Sequence, residues 1–595
     1  MKNKALKTFD LFHYVKPYRK YMILAVTFII IECALEITIP FLSNFLLTKG
    51  LVREGSEQNI TGINVSYVLI IAAVMVLMGI IATVLGVFTA KFTAICGRGL
   101  GYELRKAEYE KIQDMSFSNL DDFRIHSLVT RMTNDVQIIS DTFCQVLRPV
   151  LRAPIQLVFA LMFCLILSKD LSIVFLVALP ILAIILVTII ILTRPLFVSL
   201  QGSLDRINRT TQESLVAMKL VRANAKKDYE EEKFQNANLN SKQIGNKALG
   251  INALNMAAMQ FMTYSCAIGI LFFGGRYAIG MDSPDNETKM IATIITFLDY
   301  VMQMMASLNM LSNVFMIFTR ASASSERIHQ VFSSQNEIAD KKDSTLEVTN
   351  GDVQFKHVYF KYKKQAEQYV LNDINLDIKD GQFVGIIGQT GSSKSTLIYL
   401  IERFYDIDKG SLLISDHNIQ DYSVKELRSK IAIAFQSPML FTGTIKDNLL
   451  WGNKDATQQD IEEACKIAGC YDFITNQLSN GFDTELGQTG SNVSGGQRQR
   501  LCIARALVRK PKILILDDSF SALDRITESE VKKNLKEKLP NMTKIVISQK
   551  ISTIEDADQI IVLNDGHINH VGTNDELIQC DDIYKNIYEI QKEGR

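Results

Sequence analysis

Apolar residues are bunched in the first half of the chain and dispersed in the second. Val65–Ala90, Leu171–Thr193 and Ala248–Gly275 contain no charged residue. Each run exceeds the roughly 20 residues an α-helix needs to cross about 30 Å of hydrocarbon. Three more apolar segments, Tyr21–Leu47, Phe143–Ser168 and Met290–Thr319, are interrupted by few charges. A soluble core does not accommodate so many such runs, so the pattern predicts six membrane-spanning helices.

The connections between these spans are uneven. Long polar stretches separate the second span from the third and the fourth from the fifth, whereas the other connections are short. With six crossings and a basic N-terminus inside, both long connections fall on the cytoplasmic side. Their sequences, such as "YELRKAEYEKIQDM" and "AKKDYEEEKFQNAN", read as charged helices. The membrane helices are therefore expected to continue into the cytoplasm, with a short turn at each tip. After Arg320 the apolar periodicity stops in "SSQNEIADKKDSTLEVTNG", and from Gly351 short β-rich runs alternate with helical ones. The expected division is a six-helix membrane domain over residues 1–320, a linker over 321–350, and a cytoplasmic α/β domain over 351–595.

Composition narrows the function. At 595 residues the chain is long enough for several domains. Lysine plus arginine equals aspartate plus glutamate, 64 of each, which argues against a nucleic-acid partner. Nine cysteines are scattered without a zinc-type spacing and read as thiols of a reducing compartment. The N-terminal "MKNKALKTFDLFHYVKPYRKY" lacks the apolar core and cleavage site of a signal peptide.

Two motifs point to nucleotide chemistry. "VGIIGQTGSSKSTLIYLIERF" reads as strand, glycine loop and helix, and fits the P-loop pattern except that Ser393 takes the place of a glycine. Backbone N–H groups of Gly388, Gln389, Thr390, Gly391, Ser392 and Ser393, with the first helical turn through Thr396, would cradle phosphates. Lys394 would reach the β/γ oxygens, and the Ser395 hydroxyl would join a Mg2+ shell. Serine loses freedom where φ is positive, so ATP binding is expected to survive in weakened form. In "KILILDDSFSALD" an apolar strand, Ile513–Leu516, ends on Asp517, a further Mg2+ ligand.

"SNVSGGQRQRLCIARAL" then strongly resembles the signature of the ATP-binding cassette (ABC) family, here Ser494, Gly495, Gly496 and Gln497. The resemblance covers nearly the whole chain. It implies that Gln436 is the Q-loop glutamine, a metal and catalytic contact, that Ser521–Asp524 is the D-loop, and that Tyr362 stacks on adenine. Six spans ahead of such a domain resemble a type I exporter half-transporter. "SLVTRMTNDV" is similar to the family's stretch beside the first coupling helix, and "ESLVAMKLVRA" to the second. The family further implies two chains, each nucleotide held between the P-loop of one and the signature residues of the other.

Against that pattern the chain departs at one chemical step. Asp518 occupies the position of the catalytic glutamate and Gln549 that of the switch histidine. Asp is one C–C bond shorter, which withdraws the carboxylate by roughly 1.5 Å. A general base must come within about 3.2 Å of its proton. Glutamine donates a hydrogen bond but carries no positive charge. Gln488 also replaces a glutamate common among exporters. The expectation is a degenerate site in a heterodimer whose non-identical partner hydrolyses ATP, with hydrophobic or amphipathic compounds as cargo in contact with membrane lipids. Alternatives are a homodimeric lipid or peptide exporter with slow ATPase, and an ATP-gated channel or regulator. Glu32, Glu36 and Asp299 lie at membrane depth, where ionisable groups are costly. Attraction of cationic amphiphiles and pairing with Arg148 or Arg152 are both open readings. Methionines in the fifth and sixth spans suit an adaptable pocket or ordinary helix packing.

Overall fold

A computed structural model of the protein describes residues 12–50, 65–279, 284–338, 340–341 and 343–593. The chain forms two compact units, one of Met1–Gln113 with Ile125–Ser333, the other of Asp114–Arg124 with Ser334–Arg595.

In the first unit, six helices among the described residues are long and apolar enough to cross a membrane. They are Arg19–Gly50, Val65–Gln113, Val136–Leu167, Lys169–Val216, Lys227–Ile279 and Pro284–Ser333. The second, fourth and fifth run far past their apolar stretches, as the charged helical connections predict. The expected turns are occupied by short helices, Met218–Ala223 in this unit and Phe117–Asp122, which belongs to the second. A π-helical segment, Arg131–Asp135, joins Ile125–Thr130 to the third long helix. The first helix packs on the second, the third on the sixth, and the fourth on the fifth. The sixth runs on past Arg320 to Ser333, because residues 321–333 keep a buried stripe: Ala321, Ser324, Ser325, Ile328 and Val331.

The second unit is built on a six-stranded sheet. Its spatial order is His567–Gly572, Gln559–Asn564, Phe383–Gly388, Thr543–Ile547, Ile513–Asp517 and Ile431–Ala434. All neighbours are parallel except the first pair. Phe383–Gly388, Ile513–Asp517 and Thr543–Ile547 are buried at every position, as strands covered on both faces must be. One apolar cluster with Leu514, Leu516 and Val546 covers one face. A second, with Ile513, Ile515 and Ile545, covers the other. That second cluster also packs a four-stranded antiparallel sheet made by Leu371–Ile378, Val353–Phe360, Lys409–Ile414 and His417–Asn418.

Candidate functional site

Parallel strands place their ends along one edge, where ligands of open α/β sheets bind. Here Gly388 and Asp517 end their strands, while Gln436 and Gln549 follow two residues beyond Ala434 and Ile547. The register aligns them, with Ile547 opposite both Asp517 and Ile386 and Leu516 opposite Ala434.

The glycine loop leads into the helix Lys394–Ile401. A side chain at Gly388 would run into the Leu563 carbonyl oxygen, which explains the glycine there. Ser393 does adopt the left-handed conformation expected of a glycine, at φ 72° and ψ 25°. For a residue with a Cβ this costs roughly 1–2 kcal/mol. Lys394 Nζ curls over the loop and donates to the carbonyls of Gly388 (2.9 Å) and Gln389 (2.8 Å). Ser395 Oγ donates to Asp517 Oδ2 at 3.0 Å. Thr396 shares a 2.9 Å hydrogen bond with the Tyr362 hydroxyl, and the Tyr362 ring stands edge-on to Tyr405. Gln389, Thr390 and Gly391 are exposed, whereas Ser392 is buried beneath them.

Burial governs the electrostatics of this edge. It pushes Lys394 below the ordinary lysine value, and Asp517 and Asp518 pull the other way. It pushes both carboxyls up, opposed at Asp517 mainly by the Ser395 hydrogen bond and at Asp518 by that of Gln436. Gln436 Nε2 donates to Asp518 Oδ2 over a long 3.5 Å. The backbone of Asp518 is itself pinned at φ 48°. Its N–H donates to the Ile547 carbonyl (3.0 Å), and its carbonyl accepts from the Ser521 N–H (3.2 Å) and hydroxyl (2.8 Å). These hydrogen bonds fix the backbone from which the Asp518 side chain projects. The Gln549 side chain is exposed at the same edge.

The second set of predicted residues lies at the N-terminus of the helix Gly495–Val508. Ser494 caps it through a reciprocal box: Gln497 N–H donates to Ser494 Oγ (3.3 Å), and Ser494 N–H to Gln497 Oε1 (2.9 Å). A Cβ at Gly496 would lie 2.9 Å from the Ala522 carbonyl oxygen, so the glycine permits close approach of Ser521–Asp524. Gln499 fastens that approach, donating to Ser521 Oγ (3.2 Å) and accepting from the Ala522 N–H (3.0 Å). The exposed helix start offers oriented N–H groups and a positive dipole end to an anion. Among the described residues no hydrogen bond joins Ser494–Gln497 to the glycine loop. The two sets are separate within this chain. Gln488 is exposed, in a tight turn with Gly490.

Comparison with known proteins settles the family. The ABC transporter transmembrane region matches residues 22–318, and the ABC transporter domain residues 371–521. An uncharacterized ABC transporter ATP-binding protein, YfiB of Bacillus subtilis, is 33% identical over 97% of this chain and 97% of its own length. The chain belongs to the ABC transporters. An ATP-dependent lipid A-core flippase of Haemophilus influenzae is 30% identical over 99% of this chain and 98% of its own. A putative multidrug export protein of B. subtilis, YgaD, is 28% identical, with 97% and 98% covered. The structure of a bacterial Atm1-family ABC exporter with ATP bound shares the fold, with TM-score 0.80 and 23% identity over 96% of this chain and 98% of that one.

This ABC transporter is thus an ATPase-coupled, multi-pass membrane protein with an exporter fold and an ATP-binding domain. One of its features escapes the sequence, and another decides between two readings of it. The tip helix Phe117–Asp122 docks on its own nucleotide-binding unit, with the Phe117 ring 4.4 Å from Phe404 and the Tyr405 hydroxyl donating to Asp121 (2.7 Å). At membrane depth, Glu32 pairs with both Arg148 and Arg152, and Glu36 pairs with Arg152. Gln156 extends the network, donating to Glu36 (3.2 Å) and accepting from Ser307 (2.7 Å). Pairing therefore accounts for the two glutamates, whereas Asp299 lies exposed on the sixth helix. Met259, Met262, Met304 and Met305 are buried in helix packing, and Met256 and Met302 are exposed.

Proposed function

We propose that this ABC transporter is one subunit of a heterodimeric exporter of hydrophobic or amphipathic compounds, with a degenerate nucleotide site of its own. The observation that carries this reading is the pinned Asp518 beside an intact signature helix. Tyr362 would stack on adenine, the loop from Gly388 to Thr396 would hold the phosphates, and Lys394 would exchange its carbonyl partners for the β/γ oxygens. The hydrogen-bonded Ser395 hydroxyl and Asp517 carboxylate are oxygen donors of the kind Mg2+ takes, so these residues fit that ion, and Gln436, which donates to the neighbouring Asp518, would add its amide oxygen. Bound there, Mg2+ supplies neutralisation of phosphate charge. Asp518 is held too far back to take a proton from water, and Gln549 contacts the γ-phosphate without relaying one. Ser494, Gly495, Gly496 and Gln497 complete the partner's site, where hydrolysis occurs.

Binding of ATP closes the two nucleotide-binding domains, and the tip helices pass that closure to the spans. The multidrug assignment draws on the YgaD relative and on the exposed Asp299 and Met302, which suit lipophilic cations. The flippase relative favours a second reading, a homodimer that moves lipid. The decisive measurement is ATPase activity of the purified chain with and without its partner. The heterodimer reading expects little turnover alone. Brisk turnover by the chain alone, abolished by Asp518→Ala, overturns it.

A further inference from the structure

The backbone around Gln549 is held from an element that neither set of residues contains. Gln591, near the end of the C-terminal helix Asp582–Glu593, reaches both sides of Lys550. Its Nε2 donates to the Gln549 carbonyl at 2.7 Å, and its Oε1 accepts from the Ile551 N–H at 2.9 Å. Ile551 opens the short helix Ile551–Ile554, whose cap residue Lys550 offers no side-chain hydrogen bond. An uncapped helix start leaves its N–H groups to outside partners, and Gln591 supplies one. The C-terminal helix is itself anchored. Tyr584 is fully buried, its N–H donates to Asp581 (2.8 Å) and its hydroxyl to Asn574 (2.8 Å). An amide fits both contacts at once without needing a proton, since it donates and accepts from one planar group.

We propose that Gln591 is a positioning residue for the switch loop, setting where the Gln549 side chain meets the γ-phosphate. This rests on the reading that the chain's own site binds Mg-ATP with Gln549 facing that phosphate. The clamp then acts on ATP and leaves ADP, which has no γ-phosphate, unaffected. A merely structural helix contact would change both nucleotides alike.

The test uses the full chain, purified in lipid nanodiscs without its partner, and measures equilibrium binding of Mg-ATP and Mg-ADP. Gln591→Leu is expected to weaken ATP about tenfold while ADP affinity stays within twofold, the scale of losing two net hydrogen bonds. Gln591→Glu keeps the acceptor for Ile551 and loses the donor to Gln549, so its loss of ATP preference should be intermediate. If the leucine variant does not fold, the glutamate variant alone decides. Parallel losses for ATP and ADP, or an unchanged preference in a folded variant, overturn the clamp. A wild-type chain that binds neither nucleotide overturns the own-site reading, and the clamp with it.

Discussion

The glycine-loop edge and the signature helix belong to one domain, yet they are built with different tolerance for error. At the edge, chemistry depends on where single atoms sit: Ser393 occupies a left-handed position and Asp518 a pinned one. At the helix start, the useful groups are backbone N–H donors and a dipole, held by a reciprocal capping box that needs only Ser494 and Gln497. A side-chain shortening damages the first kind of site and leaves the second intact. On the proposed reading, an assembly with unequal sites would keep the second kind in this chain and lose the first.

The largest expected effect separates the two halves directly. Gly495→Asp places an anion at the helix start, and loss of such preorganised stabilisation typically costs about 10²- to 10³-fold in rate. In the assembled pair it should lower ATPase activity at least about 100-fold while leaving ATP binding by the isolated chain unchanged. Lys394→Ala should do the reverse, removing ATP binding by the isolated chain with a smaller loss of assembled activity. In a homodimer both substitutions fall on the same two equivalent sites. Equal damage to steady-state ATPase from the two would therefore erase the distinction between them.

The glycine loop and the capping box are legible in the sequence because each is a local pattern at a strand end or a helix start. Gly388, Lys394 and Asp517 announce themselves within a few residues, and so does the Ser494–Gln497 box. What holds these groups was not legible. Tyr405 and Asp121 are 284 positions apart. Gln591 lies 42 positions from Gln549. Nothing in either local sequence marks such a partner, since tertiary packing brings them together. Long helices were visible from composition, but the helical turns past Arg320 carry a polar sequence whose buried stripe is clear only once its neighbours are placed.

The second effect tests whether side-chain reach is the limiting defect. Asp518→Glu with Gln549→His restores the missing methylene and the imidazole at this edge. Own-site turnover, measured in a pair whose partner site is disabled, should rise by about 100-fold, the lower end of the range for general acid–base catalysis. Because the backbone at residue 518 is already fixed by Ile547 and Ser521, the longer carboxylate should arrive in place without rearrangement. Unchanged turnover would place the defect elsewhere and weaken the contrast with the signature half.

The smallest effect concerns the loop itself. Ser393→Gly removes a left-handed strain of roughly 1–2 kcal/mol. It also gives the unfolded chain more freedom, which returns about 0.5–1 kcal/mol. The difference leaves a gain of about 1.5 kcal/mol or less. Differential scanning calorimetry should therefore show the nucleotide-binding unit melting only a few degrees higher. ATP affinity should change by no more than about fivefold, since Ser393 already holds the angles a glycine would adopt. A much larger gain in affinity would mean that the serine side chain, rather than the reach of Asp518, is what sets the glycine-loop edge apart from the signature helix.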